Sequence, residues 1–240
     1  MEKSELVDSV IRNSDIVLIV LDARMIKDSM NKYIEDKIKR YRKKYLYVIN
    51  KIDLISKEEQ NKIDLENSVQ ISARLHINTL TLFRKIKEIS KGKEVTVSVV
   101  GFPNTGKSAV INALKGRRSA PISPVSGYTK NLQRVRIDKN LLMVDTPGVF
   151  NYSNKKEIVL LGVINVENLE NPEYTATELI QSLNGQIEKY FDVEIKKDHF
   201  ETLEEIAIKK HILKKGGLPD TKRMAVDIIR MCQKGKIKIN

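Results

Sequence analysis

Short apolar runs alternate with stretches of helical spacing through the first 150 residues. Asp15–Asp22, DIVLIVLD, is apolar at every interior position between two polar ends, the pattern of a strand buried on both faces. Tyr45–Ile49 and Val95–Val100 repeat it, and Val69–Ile71 is a shorter version. Leu132–Ile137 and Leu141–Val144 flank a tight turn at Asp138-Lys139-Asn140 and predict a hairpin. Between the strands, residues 29–43 place Met30, Tyr33, Ile34, Ile38 and Tyr41 at helical spacing, and residues 76–89 do the same with Leu80, Phe83, Ile86 and Ile89. Ser56 with Glu59 predicts a capping box before a short helix, and Ala109–Leu114 continues as another helix. Residues 115–130 hold Gly, Pro and Ser without a period and read as a loop. Strands alternating with helices predict an α/β fold, a doubly wound and mostly parallel sheet with one antiparallel pair.

Beyond Gly148 the strand signals fade. Residues 155–164, 175–190, 199–214 and 221–233 carry helical periods, punctuated by Ser or Thr caps and by glycines such as Gly216-Gly217. The expected organisation is an α/β domain over residues 1–150 and a small all-α domain over 151–240.

Composition adds a partner class. The 240 residues carry a net charge of +12 and a pI near 9.5. The surplus is uneven: residues 1–150 hold 28 Lys and Arg against 17 Asp and Glu, whereas residues 151–208 hold 5 against 12 and residues 209–240 hold 10 against 2. A basic body with a basic tail points to a polyanion such as nucleic acid, although a lysine-rich solvated surface gives the same count. No apolar run is long enough to span a bilayer, no signal-peptide pattern opens the chain, and the single cysteine, Cys232, allows no intrachain disulfide. These features predict a cytoplasmic protein away from membranes.

The chemistry begins at Gly101. Gly101-Phe102-Pro103-Asn104-Thr105-Gly106-Lys107-Ser108 fits G-x-x-x-x-G-K-[ST], between a predicted strand and a predicted helix. Backbone N–H groups of such a loop, Asn104, Thr105 and Gly106 among them, wrap the α- and β-phosphates of a nucleotide. Lys107 reaches the β- and γ-phosphates, and Ser108 offers an oxygen to Mg²⁺. Asn50-Lys51-Ile52-Asp53 fits N-K-x-D at the end of another strand. The Asp53 carboxylate can accept from guanine N1–H and the exocyclic amine, a donor pair that adenine lacks, so ATP leaves groups unsatisfied. Asn50 can tie this loop to the phosphate loop, and the Lys51 stem can lie along the base. Ser72-Ala73-Arg74 can set the Ala73 N–H against guanine O6. Asp145-x-x-Gly148 supplies a carboxylate for Mg²⁺, through water, and a glycine N–H for the γ-phosphate. Each short motif is weak by itself; four at strand ends form a strong joint signal.

The set resembles the GTPases of the translation-factor class, but there the phosphate loop comes first and the base motifs last. Here Asn50–Asp53 and Ser72–Arg74 precede Gly101–Ser108. The chain therefore looks like a circularly permuted GTPase with a P-loop NTPase sheet, most similar to the YlqF/RbgA ribosome-assembly family. Asp22-Ala23-Arg24 resembles that family's D-A-R motif, with Met25 in place of its proline; Gly101–Asn104 resembles its G-x-P-N loop; Gly127-Tyr128-Thr129 resembles its G-x-T switch; and Gly216–Asp220 with Gly235-Lys236 resembles its tail. The resemblance implies GTP or GDP as ligand, Thr129 as a further Mg²⁺ ligand, and Lys107, Thr129 and Gly148 at the reacting phosphate. It implies a large ribosomal subunit or its precursor, through rRNA, as partner of a monomer. Because Asp145–Gly148 runs directly into residues 151–240, a change of order at this switch has a short route to the helical domain.

Many such enzymes place a Gln after the D-x-x-G glycine to orient water, whereas Val149 and Phe150 stand here. The resemblance assigns the chain to the hydrophobic-substituted group, in which Asn104 implies a K⁺ ion near the β- and γ-phosphates and slow turnover stimulated by that ion and a ribosomal partner. Asn104 is also a common turn residue. The alternatives are a GTP-dependent RNA-binding or tRNA-related module and a nucleotide-bound scaffold with little hydrolysis. Lys222, Arg223 and Arg230 share one sector of the last predicted helix and are the candidate RNA contacts.

Overall fold

The computed structural model describes residues 3–116, 133–146 and 166–237. The helix expected over 155–164, the switch residues Gly127–Thr129, and Gly148, Val149 and Phe150 lie outside the described residues. The chain divides into two compact units, residues 1–151 and 152–240.

In the first unit, α1 (Lys3–Arg12), β1 (Ile16–Asp22), α2 (Ile26–Ser29), α3 (Lys32–Arg40), β2 (Lys44–Asn50), α4 (Lys57–Asn61), β3 (Ser68–Gln70), α5 (Thr79–Ser90), β4 (Val95–Val100), α6 (Lys107–Lys115), β5 (Gln133–Asp138) and β6 (Leu141–Asp145) follow in order. The six strands form one sheet in the order β3-β2-β1-β4-β6-β5, parallel except for β5, which runs antiparallel to β6. The apolar runs end up central because they carry side chains for two faces. Ile16, Leu18 and Val20 join the cluster under α5 and α6, with Leu82, Ile86, Val110 and Ile111. Val17, Ile19 and Leu21 face the other way, with Val7 and Ile11 of α1 and Ile34 and Ile38 of α3. Every residue of β1 is buried. Each fully buried aliphatic side chain of this kind contributes roughly 1.5–3 kcal/mol, which makes β1 the most costly strand to interrupt.

Three elements depart from the sequence expectation. The helix expected over 29–43 is shorter, α3 alone: Met30 and Asn31 are extended, Asn31 caps α3 by accepting from the Tyr33 N–H, and Arg42 beyond its end is left-handed. The expected 76–89 helix begins only at Thr79, because His76 and Asn78 are left-handed and Ser72 bridges to Ile77. Helix α1 was not anticipated, although Val7, Val10 and Ile11 have helical spacing and are all buried. The capping box at Ser56 and Glu59 is present, with both reciprocal bonds formed.

In the second unit, α7 (Pro172–Ser182), α8 (Gln186–Phe191), α9 (His199–Lys209) and α10 (Thr221–Gln233) enclose a core of Leu179, Ile180, Leu203, Ile206, Ile228 and Ile229. The helix expected over 175–190 breaks at Asn184-Gly185, both at positive φ, and the one expected over 199–214 stops before His211 for the same reason. Helix α10 has the expected bounds, capped by Asp220, whose side chain accepts from the Arg223 N–H. Cys232 is buried in this core.

Candidate nucleotide-binding site

Parallel strands bring their carboxyl ends to one edge, where ligands of open α/β sheets bind. The register aligns Asp22 with Asn50, and Val99 with Asp145. The segments following β1, β2, β3, β4 and β6 therefore converge.

The loop between β4 and α6 is shaped by two glycines. Gly101 has φ +143°, and a Cβ there would lie 2.5 Å from the Val20 carbonyl oxygen of β1. Gly106 has φ +97°, and its Cβ would lie 2.3 Å from Asn50 Nδ2. No side chain fits either place, so the G-x-x-x-x-G spacing reflects close approach by two neighbouring strands. Asn104 takes the left-handed conformation at φ 59°, which asparagine tolerates. Thr105 is fully buried and its hydroxyl donates to the Phe102 carbonyl at 2.9 Å.

Lys107 opens α6 and is buried. Its Nζ donates to the carbonyls of Gly101, at 3.1 Å, and Phe102, at 2.7 Å. Desolvation lowers the ammonium to about 8, against the opposing pull of the Asp145 carboxylate. A cation held at the loop's centre in low dielectric is costly, and phosphate charge would relieve that cost. The next residue, Ser108, donates its hydroxyl to Asp145 Oδ2 at 2.6 Å. Thr146 anchors the end of β6 by donating to the Val99 carbonyl at 2.8 Å. A hydroxyl and a carboxylate in contact form a hard oxygen pair of the type Mg²⁺ accepts beside substrate phosphates.

Asn50 joins three segments. It is buried at the end of β2; its Nδ2 donates to the Thr105 carbonyl at 2.9 Å and its Oδ1 accepts from the Ala73 N–H at 3.0 Å. The Ala73 N–H, expected against a guanine O6, is thus engaged by Asn50 in this structure. Ser72 is buried, with its hydroxyl accepting from the Leu75 N–H, and Arg74 is exposed. Asp53 sits half-buried in a 3₁₀ turn over Ile52–Leu54, and its carboxylate makes no hydrogen bond among the described residues.

Lys51 is left-handed at φ 68°, and its Nζ meets Asp22 Oδ2 at 2.7 Å. The Asp22 carboxylate is fully buried and also accepts from Arg24 Nε at 2.9 Å, Arg24 Nη2 at 2.7 Å and the Arg24 N–H at 3.1 Å. Burial would raise its pKa, but the Arg24 hydrogen bonds and the Lys51 and Arg24 charges outweigh it and hold the group at about 2. Desolvation lowers the Lys51 ammonium, while Asp22 pulls the other way. The sequence reading assigned Asp22 no chemical role. The available signal was a carboxylate ending an otherwise apolar strand, a place where a charge survives only if paired.

Asp22, Asn50, Ala73, Thr105–Ser108 and Asp145 are thus drawn from five strand ends. Lys222 and Arg223 are exposed in the first turn of α10. Arg230 does not share their freedom: it pairs with Glu167 at 2.6 Å and Asp227 at 3.9 Å, so its charge is largely spent inside the second unit.

Comparison with known proteins agrees with this geometry. Residues 96–197 match the family model described as 50S ribosome-binding GTPase. An uncharacterised GTP-binding protein of Methanocaldococcus jannaschii is 38% identical over 97% of this chain and 65% of its own length. Nucleolar GTP-binding protein 2 of Saccharomyces cerevisiae is 30% identical over 95% of this chain and 50% of its own. The chain thus spans between half and two thirds of these two curated relatives. Among solved structures, GNP-bound YlqF from T. maritima superposes with a TM-score of 0.67 at 23% identity, covering 97% of this chain and 93% of that one, a likeness of fold. The N-K-x-D strand β2 precedes the phosphate-loop strand β4 in the chain and lies one strand beyond β1 in the sheet, and over nearly its whole length the chain has the fold of that nucleotide-bound structure.

Proposed function

We propose that the chain is a guanine-nucleotide switch that binds and hydrolyses GTP and acts on a precursor of the large ribosomal subunit. The observation that carries the nucleotide half is Asn50, whose one amide ties the phosphate loop at Thr105 to the Ala73 segment. A base held by Asp53 and the Ala73 region and phosphates held by residues 104–108 then lie at a fixed separation, which is what a nucleoside triphosphate requires. Asp53 selects guanine through N1–H and the exocyclic amine. Lys107, freed from the Gly101 and Phe102 carbonyls, follows the β- and γ-phosphates. Ser108, with Thr129 and Asp145, would hold Mg²⁺, which when bound screens charge on the phosphate oxygens. Gly148 would donate to the γ-phosphate, and Asn104 would hold K⁺.

The ribosomal half rests on the description of the family model that residues 96–197 match, 50S ribosome-binding GTPase, and on charge. A basic first unit and the exposed Lys222 and Arg223 suit rRNA phosphate. Among the described residues no helix is long and apolar enough to cross a membrane; we place the protein, as a monomer, in the cytoplasm with its particle. Co-sedimentation with large-subunit precursors tests this reading. Binding with a non-hydrolysable GTP analogue, and release with GDP, is the expected result; equal sedimentation in both nucleotide states, or none, overturns it.

A further inference from the structure

The parallel sheet also gathers the loops that precede its strands, at the end opposite to the nucleotide site. Residues 39–44, from the end of α3 to the first residue of β2, contain five cations and no anion: Lys39, Arg40, Arg42, Lys43 and Lys44. Lys91 and Lys93 precede β4, and Lys139 occupies the turn between β5 and β6. These loops are tied to one another. Asn140 Nδ2 donates to the Gly92 carbonyl at 3.1 Å, the Val95 N–H donates to the Asn140 carbonyl at 3.0 Å, and Lys44 Nζ donates to the Ile89 carbonyl at 3.0 Å.

The carboxylates from β1 to β6 at this end are occupied, whereas Asp64 and Glu66, in the loop before the edge strand β3, are exposed with no ion-pair partner among the described residues. Glu88 pairs with Lys85, Glu94 with Arg136 and Asp138 with Lys87, while Asp15 accepts from the Thr96 N–H. Arg40, Arg42, Lys43, Lys91, Lys93 and Lys139 have no ion-pair partner among the described residues, and all but the half-buried Lys43 are exposed. From β2 to β6 is three strand spacings, so the belt is about 14 Å wide. That breadth suits a repeating anion better than a single one. Of the exposed large apolar side chains of the first unit, Leu75, Ile77 and Leu80 follow β3 at the other end, and Tyr45, at the start of β2, lies at this one, so apolar surface is concentrated away from the belt.

We propose that this belt binds the phosphate backbone of RNA, leaving the nucleotide edge of the sheet open. The proposal rests on the ribosomal reading above and adds a contact on the first unit to the one on α10. Charge spread over loops that are tied to one another gives binding dominated by phosphate contacts and therefore by salt.

The test uses the full chain and deproteinised large-subunit rRNA titrated over a range of KCl. Arg42→Gln, Lys91→Gln, Lys93→Gln and Lys139→Gln together should weaken binding at least about tenfold at moderate salt. They should flatten the plot of log affinity against log salt by about three units, at roughly 0.7–0.9 per lost contact. GTP turnover should be unchanged. Two half-variants, Arg42→Gln with Lys91→Gln and Lys93→Gln with Lys139→Gln, should each remove about half the slope change. They carry the test if the fourfold variant folds poorly by circular dichroism. A wild-type chain that binds rRNA and a variant with the same slope overturn the belt while leaving the ribosomal reading intact. A wild-type chain that binds no rRNA overturns the ribosomal reading and the belt with it. Loss of polyglutamate binding with rRNA binding unchanged assigns the belt to an acidic protein and overturns the RNA assignment.

Discussion

Replacing Asp22 with asparagine removes the anion that sits between two cations in a dry place. The Asp22 side chain is fully buried, and those of Arg24 and Lys51 are 3% and 22% exposed. The carboxyl is held at about 2 against an ordinary 3.8. A depression of that size corresponds to about 2 kcal/mol of stability near neutral pH, at roughly 1.4 kcal/mol per unit. Leaving Arg24 and Lys51 to face each other adds to the loss, and broken buried pairs cost about 3–5 kcal/mol. Since Asn still accepts one hydrogen bond, the expected loss is about 2–4 kcal/mol, or roughly 5–12 °C in the melting temperature of the first unit. The pH dependence has a definite sign. The folded pKa lies below the unfolded one, so the contribution is complete above about pH 4 and disappears as the pH falls toward 2. Urea unfolding of wild type and Asp22→Asn, followed by circular dichroism, should show the full gap at pH 7 and a shrinking one below pH 4. A gap under about 0.5 kcal/mol at pH 7, the usual range for a neutral surface change, would refute the argument.

Other changes follow the same geometry. Gly106→Ala drives a Cβ into Asn50 Nδ2, so GTP affinity should fall at least about tenfold, with calorimetry as the readout; unchanged affinity would mean that the Asn50 tie is dispensable. Asn104→Ala should abolish any difference in GTP turnover between KCl and NaCl at equal ionic strength, and a wild type indifferent to the cation removes K⁺ from the reaction. Lys222→Ala with Arg223→Ala should reduce the salt slope of ribosomal-subunit binding by about one to two units while sparing intrinsic hydrolysis, both measured on the same preparations.

Much of this fold was legible because its strands are buried on both faces. A run such as Ile16–Leu21 has few other places to go, and the G-x-x-x-x-G-K-S spacing carries its own strand–loop–helix context. The motif order 50–53, 72–74, 101–108 matched the order of the strand ends that carry those motifs, β2, β3 and β4. Pairings across long separations were not legible. Asp22 and Lys51 are 29 residues apart, and Arg230 meets Glu167 across 63. Helical periodicity put Arg230 in one sector with Lys222 and Arg223, yet it says nothing of which carboxylates approach from another element. The late start of α3 was obscured because Met30 fits the helical period, whereas Asn31 is extended and caps the turn that follows. The break at Asn184-Gly185 had a plain signal in its dipeptide, set against helical periods on either side.

Guanine selection by Asp53 is the claim on which the switch depends, and one exchange measures it directly. Asp53→Asn should lose affinity for GTP by at least about tenfold, since the carboxylate that pairs with N1–H and the exocyclic amine is gone, and should gain affinity for xanthosine triphosphate, whose carbonyl accepts from the new amide. Titration of both nucleotides against wild type and variant gives the four constants. A crossed preference, GTP for wild type and xanthosine triphosphate for the variant, is the predicted result. Equal GTP affinity in the two proteins would contradict the account.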